Sequence, residues 1–176
     1  KQLKITVVKI INSFLKPKKF DLVIYDDIYP HPVSGFRLEE FTILLSTIKN
    51  SKILLNPIAY PIVNTDIKLH PIHVNQITSN NLQLTGKLKP INRFVFFNSK
   101  LFYCIFINNI YKVIDYLEIS QTPFVFTLYP GGGFQMYDIQ SDLKLKRVLL
   151  SPMFKMVIVT QNITKDYLIA NKFCAE

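Results

Sequence analysis

Two cysteines, three histidines, five glycines and only 12 acidic residues against 21 basic ones are spread over 176 residues. Cys104 and Cys174 form no CxxC and have no paired-histidine pattern, which argues against a disulfide framework and a cysteine-based zinc site. Cys104 lies in an apolar run and reads as a buried, reduced thiol, so a cytosolic compartment is expected. No apolar run approaches the ~20 residues of a membrane helix. The longest, around Phe102 to Ile107, is strand-sized. The basic start lacks a following small-residue cleavage site, so no signal peptide is visible. The chain begins at Lys1 rather than Met and stops at Cys174-Ala175-Glu176 where a helix should be ending, which reads as a fragment cut at both ends.

The shortage of acid leaves a net charge of +9. Such a balance attracts nucleic acid, an anionic membrane surface or a phosphate-bearing substrate. It also follows from AT-rich coding, which would raise Lys, Ile, Asn, Phe and Tyr together, as here. The basic residues are scattered rather than striped and no nucleic-acid module is recognisable. Base composition therefore comes first, membrane surface second, and no nucleic-acid partner is expected.

What is abundant is core material: 49% of residues are apolar, with 14 phenylalanines and nine tyrosines. This suffices for one layered domain, or for one half of a larger enzyme. Residues 1 to 16 place Leu3, Val7, Ile10, Ile11, Phe14 and Leu15 on one helical face, but Ile5 and Val8 leave a strand open, and Pro17 ends either. Phe20 to Asp26 reads as a buried strand. After the loop Ile28 to Gly35, Leu38, Phe41, Leu44, Leu45 and Ile48 recur at helical spacing, and Lys52 to Asn56 is the next strand. Residues 20 to 56 are thus a βαβ unit. Residues 57 to 91, rich in proline and asparagine, have no sustained period and read as a loop-rich insertion, with short strands near Ile72 to Ile77 and Leu82 to Leu84. Regular structure resumes at Phe94 to Phe97 and in a strand from Phe102 to Ile107. A helix follows around Ile110 to Ile119, its inner face Ile110, Val113, Ile114 and Leu117.

The order then repeats as strand (Pro123 to Tyr129), glycine loop, basic amphipathic segment, strand (Met156 to Thr160) and helix. Strands alternating with helices mean a mostly parallel sheet. The expected fold class is α/β, a Rossmann-like three-layer sandwich, in a single domain with sites at the carboxyl ends of its strands.

Three of the five glycines are consecutive, at Gly131, Gly132 and Gly133. After a strand they allow positive backbone angles and close approach of a ligand to backbone amides. The dinucleotide fingerprint fails at Met136 and the Lys-Ser/Thr of a P-loop is missing, so a tight steric turn competes with a binding loop. A second candidate is His31-Pro32-Val33-Ser34-Gly35-Phe36-Arg37, which joins a strand end to a helix start. There Arg37 would fork a phosphate or carboxylate and Glu40 would accept from sugar hydroxyls, or both are solvated first-turn residues. Asp26 and Asp27 suggest a cation, but capping and loop hydrogen bonds account for them better. His70 and His73 are placed in a loop and read as surface histidines, because no further ligands stand at metal spacing. Ser34 lacks a GxSxG context, and no catalytic residue and no metal is assigned.

In the segments FDLVIYDDIYPHPVSGFRLEEF (20–41), TPFVFTLYPGGGF (122–134) and FKMVIVTQNITKDYL (154–168), the chain resembles the amino-terminal half of a GT-B-fold glycosyltransferase of the group 1 superfamily, of the bacterial surface-polysaccharide type. The resemblance covers about residues 20 to 173. It implies an acceptor-side Rossmann-like domain, without the carboxyl-terminal donor domain. It also implies transfer from a nucleotide-sugar, used as co-substrate and held mainly by that other domain, to a saccharide or lipid-linked saccharide. No tightly bound cofactor is implied. By position, Ser34, Gly35, Phe36 and Arg37 would face the cleft, Gly131, Gly132, Gly133 and Phe134 would line it, and Thr160 and Gln161 would end the last strand beside it. The usual Gly-Gly pair of the first loop is here Ser34-Gly35. The resemblance further implies a cytoplasmic enzyme that can sit on the inner face of an anionic membrane, and a fragment that does not turn over alone. A stand-alone, non-catalytic flavodoxin-like module binding an anion or nucleotide at the same loops is the other reading.

Overall fold

In the computed structural model, residues 20–91 and 99–173 are described. The chain is α/β and Rossmann-like, and it divides into two compact units, residues 20–95 and residues 96 onward. The expected helix or strand at 1–16, the segment Phe94 to Phe97 and Cys174 lie outside the described residues.

In the first unit, β1 (Phe20–Asp26) pairs in parallel with β2 (Ser51–Leu55), from Leu22 opposite Ser51 to Asp26 opposite Leu55. The helix α1 (Phe36–Thr47) connects them and buries Arg37, Phe41 and Leu45. Val23, Ile24, Ile53, Leu54 and Leu55 are buried, the continuous apolar run expected of parallel strands covered on both faces. The last carbonyls of α1 are met from across the unit: Lys87 Nζ donates to Ile48 O at 2.9 Å and also to Leu45 O, a cation at a helix carboxyl end.

Residues 57–91 differ from the expected loop with short strands. They form a 3-10 segment (Pro57–Val63), a 3-10 turn (Ile67–Leu69), the helix α2 (His70–Asn80), a second 3-10 turn (Leu82–Leu84) and β3 (Leu88–Pro90). β3 adds to β2 in parallel, with Ile53 opposite Leu88. Pro71 sits in the first turn of α2, where its missing N–H costs nothing. No side chain of α2 is buried, so the helix has no apolar face for its sequence to record.

The second unit repeats strand and helix: β4 (Ser99–Ile105), α3 (Ile107–Ile119), β5 (Phe124–Leu128), α4 (Ile139–Leu149), β6 (Phe154–Val159) and α5 (Asn162–Ala170). β4, β5 and β6 are parallel, with Phe102 opposite Phe124 and Phe124 opposite Phe154. The buried face of α3 includes Ile110, Val113, Ile114 and Leu117, as their spacing predicts. Cys104 is a buried free thiol. α3 and α4 are joined by Arg147, whose Nη1 and Nη2 each reach a carboxylate oxygen of Glu118 at 2.7 Å, while Nη2 also meets Asp115 at 3.0 Å. The bonds from Arg147 hold Glu118 below the usual carboxylate range. The contribution is therefore complete above about pH 4.5 and is lost as the pH falls further. Arg147→Lys forfeits the two-pronged geometry and is expected to lower stability by about 0.5–1 kcal/mol, read as a small drop in thermal midpoint that vanishes at acid pH. Among the described residues, no helix is long and apolar enough to cross a membrane.

Candidate functional site

Each unit carries a loop at the carboxyl end of a strand. In the first, the loop after β1 is organised by Asp26, which is fully buried. Its Oδ1 accepts from the amides of Ile28 (3.0 Å) and Tyr29 (2.8 Å), and its Oδ2 accepts from Arg37 Nη1 at 2.8 Å. Asp27 is a second, longer partner of the same Nη1 at 3.4 Å, and Arg37 Nε donates to Ser34 O at 3.3 Å. Burial raises the Asp26 carboxyl above its ordinary value, against the pull of Arg37 and the two amides.

Arg37 is thus neither an exposed phosphate fork nor a solvated first-turn residue. It is 6% exposed, and the fixed fork that would grip an anion is turned inward onto a carboxylate. The same geometry agrees with loop hydrogen bonding rather than a cation at Asp26, whose oxygens serve two amides and a guanidinium. Among the described residues, no cluster of histidine, cysteine or carboxylate could hold a metal ion. Ser34 is buried with its Oγ unpartnered, whereas Gly35 and Phe36 lie at the surface and Glu40 is half-buried. Gly35, at φ 57° and ψ −128°, adopts a backbone that suits glycine and starts α1.

The histidines depart furthest from expectation. His70 and His73 open α2 instead of lying in a loop, and with His31, itself 6% exposed, they surround the buried ring of Tyr60.

In the second unit, Gly131, Gly132 and Gly133 all have positive φ, at 86°, 53° and 89°. Gly131 and Phe134 exchange backbone hydrogen bonds (3.3 and 3.0 Å) around Gly132-Gly133, and two successive positive φ values are the pattern of a type I′ turn. A Cβ on Gly132 would stand 2.2 Å from the Phe106 ring, and one on Gly133 would stand 2.2 Å from the Asn108 side chain. Close approach of the loop to the start of α3 therefore demands both glycines. Asn108 N donates to Gly132 O at 3.2 Å, and Lys144 Nζ on α4 donates to Asn108 Oδ1 at 2.8 Å.

The rest of the loop is fastened to α4 and α5. Gln135 N donates to Ser141 Oγ (3.1 Å), Tyr137 N donates to Tyr167 Oη (3.0 Å), and Tyr167 Oη donates to Asp142 Oδ1 (2.7 Å). Burial and the bond to Asp142 raise the Tyr167 phenol above its ordinary value, keeping it protonated as that donor. Phe134 is buried edge-on to Tyr167. The three glycines face solvent, and the tyrosines bracketing them do too, Tyr137 at 84% exposure and Tyr129 at 37%. Tyr129 packs edge-on to Phe106 and Tyr137 edge-on to Tyr167, and an open turn flanked in sequence by two exposed tyrosines can offer backbone amides to a flat or ring-shaped polar ligand. Thr160 and Gln161 are exposed at the end of β6, where Gln161 O accepts from Thr164 N and Lys165 N and begins α5.

Asn108, Asp142, Lys144 and Tyr167 are the residues that sequence reasoning did not place in this site. Only Tyr167 carried a signal, as part of the Thr-x-x-Tyr-Leu start of α5. No protein-family profile, no curated protein and no solved structure gives a significant match to this chain.

Proposed function

We propose that this chain is the acceptor-binding half of a glycosyltransferase, which moves a sugar from a nucleotide-sugar to a saccharide or lipid-linked saccharide in cell-surface polysaccharide synthesis. The observation that carries this reading is the clamped glycine turn at the carboxyl end of β5 with exposed Tyr129 and Tyr137 at its two ends. Sugar rings present C–H faces that stack on tyrosine and hydroxyls that bond to backbone amides and carbonyls. Sugar transfer further needs the leaving phosphate stabilised and the acceptor oriented. The loop supplies orientation, while the donor and its phosphates would be held mainly by a partner domain. The excess of positive charge suits work at an anionic membrane face.

Saturation-transfer NMR on the chain with a panel of neutral oligosaccharides tests this. Binding is expected, and Tyr137→Ala is expected to weaken it about tenfold, some 1.4 kcal/mol, with at most a small drop in thermal midpoint, because the ring is exposed and packs only edge-on against Tyr167. Failure of every saccharide to bind, or binding indifferent to Tyr137, would sink the reading. No sugar transfer is expected from the isolated chain, and a measurable rate would refute the need for a second domain. Lys144, set beside Asn108 and the first turn of α3, favours the second reading, a non-catalytic module that binds an anion or nucleotide. Binding of a nucleoside diphosphate with no response to saccharides would select it.

A further inference from the structure

All three histidines of the chain meet around one tyrosine. His31 belongs to the loop after β1, Tyr60 to the 3-10 segment at 57–63, and His70 and His73 to the first turn of α2. The His31 ring lies edge-on to Tyr60 (centroids 5.1 Å, 86°) and to His73 (5.1 Å, 81°). Tyr60 in turn packs on His70 at 5.1 Å, and its hydroxyl is 3.3 Å from His73 Nδ1.

The hydrogen bonds of His31 fix its protonation. Nδ1 accepts from the Val33 amide at 3.0 Å, so it carries no proton. Nε2 is 2.9 Å from Thr65 Oγ1, whose own proton goes to Val63 O at 3.1 Å, so Nε2–H is the donor there. The ring is neutral: Nδ1 ties the loop after β1 to itself at Val33, and Nε2 joins that loop to Thr65. A proton added at Nδ1 would point at the Val33 N–H, donor against donor. It would also place a cation beside His73. The titratable groups against the His31 ring are Tyr60 and His73, and those against Tyr60 are the three imidazoles. Asp66, close by in sequence, accepts from the Lys68 amide at the head of the 67–69 turn. Among the described residues no carboxylate pairs with any of these rings, so nothing there would compensate a positive charge.

No side chain of α2 is fully buried, though His70 and His73 are half-buried, and these ring contacts help to hold it to the remainder of its unit. We propose that His31, packed with His70 and His73 around Tyr60, is a pH-sensitive clasp, closed when its imidazole is neutral and released on acidification, freeing residues 57–80 from the loop after β1. Desolvation by burial depresses both His31 and His70, with His73 adding to each. A depressed histidine stabilises the closed form fully above its ordinary value of 6.5, and that stabilisation is lost as the pH falls through the lower, closed-state value. The open fraction then rises by up to about tenfold per pH unit for each proton taken up.

Long-range 1H–15N NMR of the histidine rings, with amide exchange at pH 7.5 and pH 5.5, tests the clasp on the full chain. Expected are an Nε2–H tautomer for His31 at pH 7.5, titration below 6.5, and exchange of the Val33 amide and of residues 57–80 at least tenfold faster at pH 5.5 once intrinsic rates are removed. Amides of β5 should keep their protection, which separates local release from global unfolding. His31→Asn keeps an acceptor for the Val33 amide and, combined with His73→Gln, should flatten the response. A wild-type pH response in that double variant would overturn the proposal. So would a wild-type His31 that titrates at or above 6.5, or equal exchange at both pH values, and these two readings need no variant to fold.

Discussion

Gly132→Ala is expected to lower the stability of the second unit by about 2–4 kcal/mol, whereas Gly131→Ala, one residue earlier, should cost only about 1 kcal/mol. Both residues have positive φ, so both substitutions pay the left-handed strain of an L side chain, ~1 kcal/mol. They differ in what the new methyl meets. At position 131 there is open space, while at 132 it would lie 2.2 Å from Cδ1, 2.3 Å from Cγ and 2.6 Å from Cβ of Phe106. A ring can swing, but a Cβ is carried by the backbone, and Phe106 itself sits at φ 77° where β4 turns into α3. Relief would require moving that junction, a forced overpacking worth a further ~1–3 kcal/mol. Gly133→Ala should fall between the two, since its neighbour is the Asn108 amide, which can move only by giving up Lys144. Urea unfolding of the three variants, followed in the second unit by NMR, gives the order directly. Equal losses at 131 and 132 would show that backbone conformation alone, and not contact with Phe106, sets the demand for glycine.

The same glycines show where a sequence stops being legible. A triplet after an apolar run announces a loop, but steric turn and binding loop share that signature, and the contacts with Phe106 and Asn108 that demand the glycines are not written in it. Elements with a buried face were readable because burial imposes a period. β1 and β2 are continuous apolar runs covered on both sides, and α3 repeats Ile110, Val113, Ile114 and Leu117 at three and four. α2 has no fully buried side chain, so its 11 residues carry no sustained period and read as loop with a short strand near Ile72 to Ile77. Site residues were hidden for another reason. Tyr167 reaches Tyr137 and Asp142 across 30 and 25 residues, and Lys144 reaches Asn108 across 36, separations at which no local pattern can speak. The histidine cluster assembles from positions 31, 70 and 73 in the same way, so spacing made two of its members look like isolated surface residues. Arg37 is the sharpest case: charge and a first-turn position predict exposure, yet its partner Asp26 lies 11 residues back at the end of β1.

That pair carries the second large expectation. Arg37→Met should destabilise the first unit by about 3–5 kcal/mol at neutral pH, the cost of leaving a fully buried carboxylate with two amides and no counter-charge. The loss should depend on pH in a definite direction. Burial already raises the Asp26 carboxyl above its ordinary value of 3.8, and Arg37 is the largest influence opposing that rise. Without Arg37 the folded-state value climbs further. A group raised in the folded state contributes its stability below the unfolded value and loses it as the pH rises through the folded one. Arg37→Met should therefore sit close to the wild type near pH 4 and fall progressively behind towards pH 7.5. Asp26→Asn in the same background removes the stranded charge while keeping an acceptor for the Ile28 and Tyr29 amides. It should recover roughly 2 kcal/mol at pH 7.5 and abolish the pH slope, a coupling read from a double-mutant cycle of urea midpoints. A loss under about 1 kcal/mol, or one equal at pH 4 and pH 7.5, would mean that water reaches Asp26 and that the ion pair does not organise the loop. If the slope appears, the course of residues 28–35 is set from within by Asp26 and Arg37. Pro32, Val33 and Gly35, with Phe36 at the start of α1, are then the parts left at the surface for a ligand to meet.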